Sequence, residues 1–206
     1  MVYIHSASEL LESYAQGNRD FSGVTLRLAE LIGANLQGIQ WVRADLVGAE
    51  LIGANLNEAN LTRAELIGAT LIGANLRQAD LTDADLSGAD LSGAMLNEAL
   101  LSGAKLGGAK LRMSKLNGAN LAGVTLVGAD LIGADLIGAN LVGAKFGGAD
   151  LRGTDLSKAN LRGADFSGAK ITGAKLARAS FDHSTIFDAS FDPLRAGMLL
   201  VKDDPS

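Results

Sequence analysis

A period of five residues runs through almost the whole chain. From Phe21 to Phe191 every fifth residue is apolar, and Leu fills 27 of these 35 positions. Ala fills 28 of the 34 positions that lie two residues before them, and Gly often lies two residues after them. No insertion is visible in this frame. The repeat constrains the fold strongly, because few backbone arrangements recur every five residues.

Neither a helix nor a flat strand accounts for this period. Five residues advance a helix by about 500°, so the Leu side chains would spiral around every face. In a flat strand, an odd period would place successive Leu side chains on opposite sides. The remaining solution is a chain that turns a corner every five residues, with four sides in a coil of about twenty residues. Leu and Ala then point inward, and Gly at the corner supplies the positive φ of a type II turn.

The repeated segments resemble a known motif. ADLIG, ANLVG, ADLSG and AELIG resemble the A(D/N)LXX motif of the pentapeptide-repeat family, and the resemblance extends from Phe21 to Phe191. It implies an all-β solenoid, specifically a right-handed quadrilateral β-helix. At about 4.8 Å per coil, the rod would be roughly 40 Å long. The opening ELLESYAQGNRDFSGVTL is similar to the capped start of cyanobacterial members, which indicates a bacterial source of this kind.

The two ends of the repeat predict caps, because an open stack exposes unpaired backbone and apolar surface. The expected division is a cap over 1–20, the β-helix over 21–191 and a C-terminal cap or tail over 192–206. Ser6 and Glu9 match a capping box, which predicts a short capping helix over about 7–16. The apolar residues near the C-terminus are Leu194, Met198, Leu199, Leu200 and Val201. They are compatible either with a second cap or with a self-association surface that forms a homodimer.

The residues that carry catalytic or metal chemistry are scattered in this frame. His5 and His183 lie near opposite ends and are expected to be solvated. Asp80, Asp85 and Asp90 fall on three successive sides of the coil, so they cannot act as an acid–base pair. The chain contains no Cys, which excludes disulfides and thiolate metal ligands. We therefore expect no enzymatic activity, no catalytic residues, no cofactor and no metal.

Two groups of surface columns are candidate binding sites, since residues twenty apart stack on one side of the rod. The candidate partner-binding residues are Ile32, Ile52 and Ile72, with Val47 and Ile67 on the adjacent side. They indicate either a protein-binding patch or the ordinary preference of β-branched residues for stacked strands. The candidate acidic face is the column formed by Asp45, Glu65 and Asp85.

Composition narrows the function further. The net charge is −5, which argues against direct nucleic-acid binding. The sequence shows neither an export signal nor an uninterrupted apolar run of membrane-spanning length, so we expect a cytoplasmic protein that does not contact membranes. The leading hypothesis is a rigid, non-enzymatic scaffold, with a regulatory role, that binds an unknown protein partner. The resemblance also implies an alternative, a DNA mimic that binds a type II topoisomerase such as gyrase.

Overall fold

The backbone forms a continuous stack of four-sided coils. The computed structural model describes residues 4–202. Parallel bridges join residues twenty apart, from the pair Asp20–Gln40 to the pair Asn160–Ser180, with one bridge on each five-residue side. This spacing makes the protein a solenoid with a twenty-residue coil, as the period of five predicted. The right-handed sense of the coil stays a prediction from the resemblance.

Regular elements are short because each side of a coil contributes a single bridging residue. Helix α1 spans Ala7–Ala15, and the two-residue strands β1 (Ser180–Phe181) and β2 (Leu199–Leu200) pair in parallel near the C-terminal end. Elsewhere, successive coils are joined by regular backbone hydrogen bonds. The N–H of Leu86 donates to the carbonyl of Lys105 at 2.7 Å, and the N–H of Lys105 donates to the carbonyl of Ala84 at 2.9 Å. The backbone polar groups of a coil are thus satisfied by the coils before and after it.

The core is a narrow column of Leu and Ala. Side chains such as Leu86 and Ala89 have no exposed surface, as the inward orientation of both repeat positions predicted. Each side of a coil ends in a turn that is closed by a hydrogen bond between the Leu and the Ala three residues later. The N–H of Ala89 donates to the carbonyl of Leu86 at 3.0 Å, and the same bond recurs from coil to coil.

From Gly23 to Arg178 the corner of each turn has the predicted positive φ, and Gly128, at +67°, is a representative case. Glycine is not obligatory there, however. Among residues 4–202, ten residues other than Gly adopt φ between +55° and +61°, a region that L-residues occupy at a cost. Most of them are charged or polar, and the full set is Leu28, Arg43, Glu58, Arg63, Gln78, Asp83, Glu98, Met113, Lys158 and Arg178.

The helix α1 closes the N-terminal end of the stack. It ends at Ala15, one residue before the predicted boundary. The hydroxyl of Ser6 accepts a hydrogen bond from the N–H of Glu9 at 3.2 Å, and the Glu9 carboxylate accepts one from the N–H of His5 at 2.8 Å. Leu10 is fully buried, and the hydroxyl of Tyr14 donates to the carbonyl of Gln37 at 2.8 Å. The helix is therefore fixed to the first coil by both apolar and polar contacts.

The unbroken register expected through Phe191 is wrong after Phe181. Asp165 forms its bridge with Ile186, so one residue is inserted in this side of the coil. Ile186 is consequently 51% exposed, whereas Phe187 is packed against the core and its ring stacks on that of Phe166 at 5.2 Å between centroids. Phe187 therefore occupies the inward position that the five-residue repeat had assigned to Ile186.

Asp182 accounts for this insertion. Its buried carboxylate accepts hydrogen bonds from the N–H of Gly163 at 3.1 Å, the hydroxyl of Ser184 at 2.7 Å and the hydroxyl of Thr185 at 3.1 Å. Burial acts to raise the pKa of Asp182, but these hydrogen bonds outweigh it and hold the pKa well below its usual range. The side chain therefore remains a carboxylate and organises the wider turn around itself.

Alanine substitutions distinguish the two registers. We expect Phe187→Ala to lower the free energy of unfolding by about 2–3 kcal/mol, because it removes a ring packed in the core. Ile186→Ala should cost less than about 1 kcal/mol, because that side chain is largely solvated. Urea unfolding followed by circular dichroism measures both. A larger loss of unfolding free energy for Ile186→Ala than for Phe187→Ala would instead indicate that the five-residue register continues unbroken.

The C-terminal segment adds β2 to the stack but leaves much of its apolar surface exposed. Met198 is buried, whereas Leu194, Leu199 and Leu200 are exposed. The N–H of Leu199 donates to the carbonyl of Ala179, and the N–H of Val201 donates to that of Phe181, each at 2.8 Å. The last part of the predicted tail, 203–206, lies outside the described residues. A homodimer through this end stays a prediction.

Candidate protein-binding face

The predicted isoleucine column is present on one side of the rod. The N–H of Gly33 donates to the carbonyl of Ile52 at 2.8 Å, and the N–H of Gly53 donates to that of Ile72 at 2.9 Å, so the three turns stack directly. Ile32, Ile52 and Ile72 are 58%, 37% and 40% exposed. We call the side formed by residues 30–32, 50–52 and 70–72 the isoleucine face.

The adjacent side, residues 45–47, 65–67 and 85–87, carries the rest of the predicted apolar patch. The N–H of Gly48 donates to the carbonyl of Ile67 at 2.9 Å, which stacks Val47 on Ile67. Ile67 is exposed and Val47 is partly buried. The five residues chosen from the sequence therefore lie on two neighbouring sides of three successive coils.

Acidic side chains accompany these aliphatic residues in a regular way. An outward acid precedes an outward aliphatic residue by two positions in Glu30–Ile32, Asp45–Val47, Glu50–Ile52 and Glu65–Ile67, with a buried Leu between them. In the last coil of the isoleucine face, Thr70 replaces the acid before Ile72. Acidic and aliphatic columns thus run side by side along the rod on both sides.

The predicted acidic column is assembled, but two of its three charges have partners. Bridges join Asp45 to Glu65 and Glu65 to Asp85. Arg27 lies 3.1 Å from the Asp45 carboxylate, and Lys105 lies 3.2 Å from that of Asp85. Burial acts to raise the pKa of Asp85, but hydrogen bonds from Ser87 and Lys105 lower it below its usual value. Glu65 is exposed and, among the residues that the structure describes, has no Lys or Arg paired with its carboxylate.

Glu30 and Glu50 resemble Glu65 in this respect. Within residues 4–202, the carboxylates of all three are exposed, and none of them forms an ion pair or a side-chain hydrogen bond. Asp90, which follows Glu50 and Thr70 along the isoleucine face, is instead paired with Lys110 at 3.4 Å. Three acids without an ion pair therefore stand beside the aliphatic columns of the first coils.

Leu28 extends this surface, although the sequence reasoning did not select it. It stands at a corner next to the isoleucine face, with φ of +58° and 75% of its surface exposed. Its side chain covers Gly48, where an added Cβ would lie 2.6 Å from the Leu28 Cδ2. The sequence did contain a signal for Leu28, because the second Leu of TLRLAEL stands at a corner position that most repeats fill with Gly. An exposed leucine in the left-handed region gains little from burial, so its position is not explained by the core.

A shallow polar groove of about 470 Å³ lies on the side that follows the isoleucine face. Arg77 and Lys115 line it together with the acids Glu98 and Asp135. The acids already accept hydrogen bonds, Glu98 from Gln78 at 2.8 Å and Asp135 from Asn117 at 2.9 Å. Its lining contains no His or hydroxyl side chain.

The other reactive side chains are dispersed along the part of the rod that the structure describes. Over residues 4–202 no group of three or more His, Asp or Glu is arranged to hold a metal ion. Within the same range no helix has the length and apolarity needed to cross a membrane. Both histidines are exposed and lie near opposite ends of the chain.

Comparison with known families identifies the repeat. The model of the family described as "Pentapeptide repeats" matches residues 44–83, 74–112, 114–153 and 149–186 in eight copies, which is more than half of the chain. The chain belongs to the pentapeptide-repeat family. Members form quadrilateral β-helices, which agrees with the four-sided coils observed here. A comparison with curated proteins gave no match.

Several solved structures are similar to this pentapeptide-repeat chain. HetL, a protein involved in heterocyst differentiation regulation in the cyanobacterium Nostoc sp. strain PCC 7120, is 32% identical, with 83% of this chain and 92% of HetL covered and a TM-score of 0.28. The Nostoc PCC 7120 pentapeptide repeat protein alr5209 is 28% identical, with coverages of 98% and 100% and a TM-score of 0.23. QnrB1, a plasmid-mediated fluoroquinolone resistance protein, is 20% identical, with coverages of 88% and 84% and a TM-score of 0.50.

Proposed function

We propose that this protein is a non-enzymatic scaffold that binds a protein partner through the isoleucine face and its neighbour. The observation that carries the proposal is the column of Ile32, Ile52 and Ile72, exposed on three successive coils. Contiguous exposed aliphatic surface is uncommon on soluble proteins and often marks an interaction site. A regulatory role, carried out through the bound partner, is part of the proposal.

Strand preference alone accounts less well for this surface. β-branched residues do favour stacked strands, and Thr would satisfy that preference without exposing apolar surface. Other sides of the rod use polar residues at the equivalent outward position, as Gln37 and Asn57 do on the next side. The isoleucine face also adjoins Leu28, whose corner position has no strand preference to satisfy. These observations favour a binding surface.

A capture experiment with matched variants tests the proposal. The tagged protein is incubated with a lysate of its own cells, and Ile52→Lys/Ile72→Lys is compared with Ile137→Lys/Val142→Lys. Each double variant adds two positive charges at exposed aliphatic positions, and the control pair lies elsewhere on the rod. We expect a partner to be retained by the wild type and the control and lost by the first variant. Retention by all three proteins would refute the assigned surface, provided that circular dichroism shows each to be folded.

A DNA mimic that binds a type II topoisomerase is a second candidate. The stacked column of Asp45, Glu65 and Asp85 favours it, since regularly spaced carboxylates can replace phosphates. The ion pairs to Arg27 and Lys105 reduce the negative charge that such a mimic would present. A supercoiling assay with purified gyrase distinguishes the candidates. Inhibition or protection at micromolar protein would favour the mimic, and no effect would eliminate it for this enzyme.

A further inference from the structure

We propose that the isoleucine face binds an amphipathic helix of the partner whose apolar stripe is flanked by Lys or Arg, with Leu28 as an anchor. This inference rests on the proposed scaffold function and specifies the chemistry of the partner. It depends on four features of the surface: a saturated backbone, the spacing of the isoleucines, the unpaired acids and the exposed leucine.

The backbone of this face leaves a partner only side chains to contact. The N–H of Leu31 donates to the carbonyl of Glu50 at 2.8 Å, and the N–H of Glu50 donates to that of Ala29 at 2.9 Å. Comparable bonds continue into the next coil. Since these groups are directed along the rod and already paired, a partner cannot add a strand here by main-chain pairing. Of the common peptide-recognition modes, the insertion of a helical apolar face against side chains remains available.

The spacing of the isoleucines suits a helix that lies parallel to the rod. Stacked coils repeat at about 4.8 Å, and a helix repeats at about 5.4 Å per turn. Over the two steps from Ile32 to Ile72, the two repeats drift apart by only about 1 Å. Same-side residues of an extended peptide repeat at roughly 6.6 Å and would drift by nearly 4 Å. One apolar side chain per helical turn can therefore meet Ile32, Ile52 and Ile72 in succession.

The charges beside this column favour a cationic helix. Glu30 and Glu50 stand next to the isoleucines on the same side, and Glu65 stands on the adjacent side, all exposed and without an ion pair among the described residues. Lys and Arg flanking the apolar stripe of the helix would pair with them. The same charges disfavour an anionic membrane surface or a nucleic acid as the partner.

A belt of ion-paired cations limits the length of the site. Arg112, which continues the isoleucine column farther along the rod, lies 3.3 Å from Asp130, and Lys110 lies beside Asp90. At this level Ser92 and Arg112 replace isoleucine in the column, so a helix meets no further isoleucine there. About three turns are available between the first coil and the belt, which corresponds to 10–12 residues of helix.

Leu28 supplies an independent sign of binding. Its corner position favours Gly, which tolerates a positive φ without the strain that Leu incurs. Leu28→Gly should therefore stabilise the free protein or leave it unchanged, while removing apolar contact area from the complex. A melting temperature that does not fall, combined with weaker binding, separates a binding residue from a structural one.

Defined peptides test this partner class directly. The probe is a fluorescently labelled 14-residue helical peptide with four Leu spaced three or four apart and Lys along one flank. A second peptide, used as the control, carries Glu at every Lys position. Fluorescence anisotropy should show binding of the Lys peptide and not of the Glu peptide. Glu30→Gln/Glu50→Gln/Glu65→Gln should weaken binding about tenfold, by analogy with measured surface ion pairs, and Leu28→Gly should weaken it about fivefold.

A charge-matched variant controls for attraction to the acidic protein as a whole. Glu12→Gln/Glu58→Gln/Glu98→Gln removes the same charge at exposed positions away from the face and should change binding less than twofold. Equal weakening by the two triple variants would overturn the inference, and so would equal binding of both peptides or no binding of the Lys peptide. The capture experiment above uses neither peptide, so the scaffold proposal stands or fails separately.

Discussion

Leu86→Ala is expected to lower the free energy of unfolding by about 2–5 kcal/mol. Leu86 lies in the middle of the stack with no exposed surface, and Leu66 and Leu106 occupy the same column in the neighbouring coils, also fully buried. The coils on both sides are fixed by backbone hydrogen bonds, such as that from the N–H of Leu86 to Lys105 at 2.7 Å. Because the coils cannot easily approach each other, much of the cavity should remain.

Urea unfolding monitored by circular dichroism and by the fluorescence of Trp41 measures this loss. Trp41 is the single tryptophan and is fully buried, so its emission should report exposure of the core. Val127→Ala is the matched control, because Val127 is an exposed aliphatic residue of the repeat and should cost less than about 1 kcal/mol. Similar losses for Leu86→Ala and Val127→Ala would mean that Leu86 does not fill the interior.

Ala89→Leu should also destabilise the protein, by about 1–3 kcal/mol or more, because the interior has no room for a larger side chain. Ala89 has no exposed surface, and Ala69 and Ala109 fill the equivalent positions of the coils before and after it. The N–H of Ala89 also closes the turn on Leu86 at 3.0 Å, so the backbone cannot shift outward without losing this bond. The added methyl groups would have to displace neighbouring Leu side chains.

The same substitution at an outward position provides the control for Ala89→Leu. Ala122 is only partly buried and follows a core Leu, where the repeat places side chains outside the coil. Ala122→Leu should leave the melting temperature nearly unchanged, whereas Ala89→Leu should lower it by several degrees. An unchanged melting temperature for Ala89→Leu would show that the alanines of the repeat do not point inward.

The arrangement of the coils was predictable from the sequence because a single rule governs it. Leu, Ala and the corner residue each recur at fixed offsets, and a period of five leaves little choice of backbone. The insertion near the C-terminus was not predictable in this way. Ile186 and Phe187 are adjacent and both apolar, so either fits the pattern. The choice depends on the buried carboxylate of Asp182 and on the stacking of Phe187 on Phe166, which are tertiary interactions.

The candidate site was predictable as columns but not as a charged surface. Because residues twenty apart stack in successive coils, the sequence alone predicted that Ile32 lies next to Ile52 and Asp45 next to Glu65. The ion pair of Arg27 with Asp45 joins residues eighteen apart, so it connects neighbouring columns diagonally and escapes that count. Leu28 was missed because the corner was expected to need Gly, while the structure accommodates a leucine there with positive φ. Both features depend on side-chain conformation that the repeat alone does not specify.

Site-specific photocross-linking tests most directly whether the isoleucine face is the partner-binding surface. The chain has no Cys, so a single cysteine can carry a photoreactive maleimide. Thr70→Cys places it on the isoleucine face, and Thr82→Cys places it two sides farther around the coil, at another partly buried threonine. Irradiation with the captured partner should give a cross-linked product from Thr70→Cys and little from Thr82→Cys. Equal products from both positions, or a product from Thr82→Cys alone, would contradict the account.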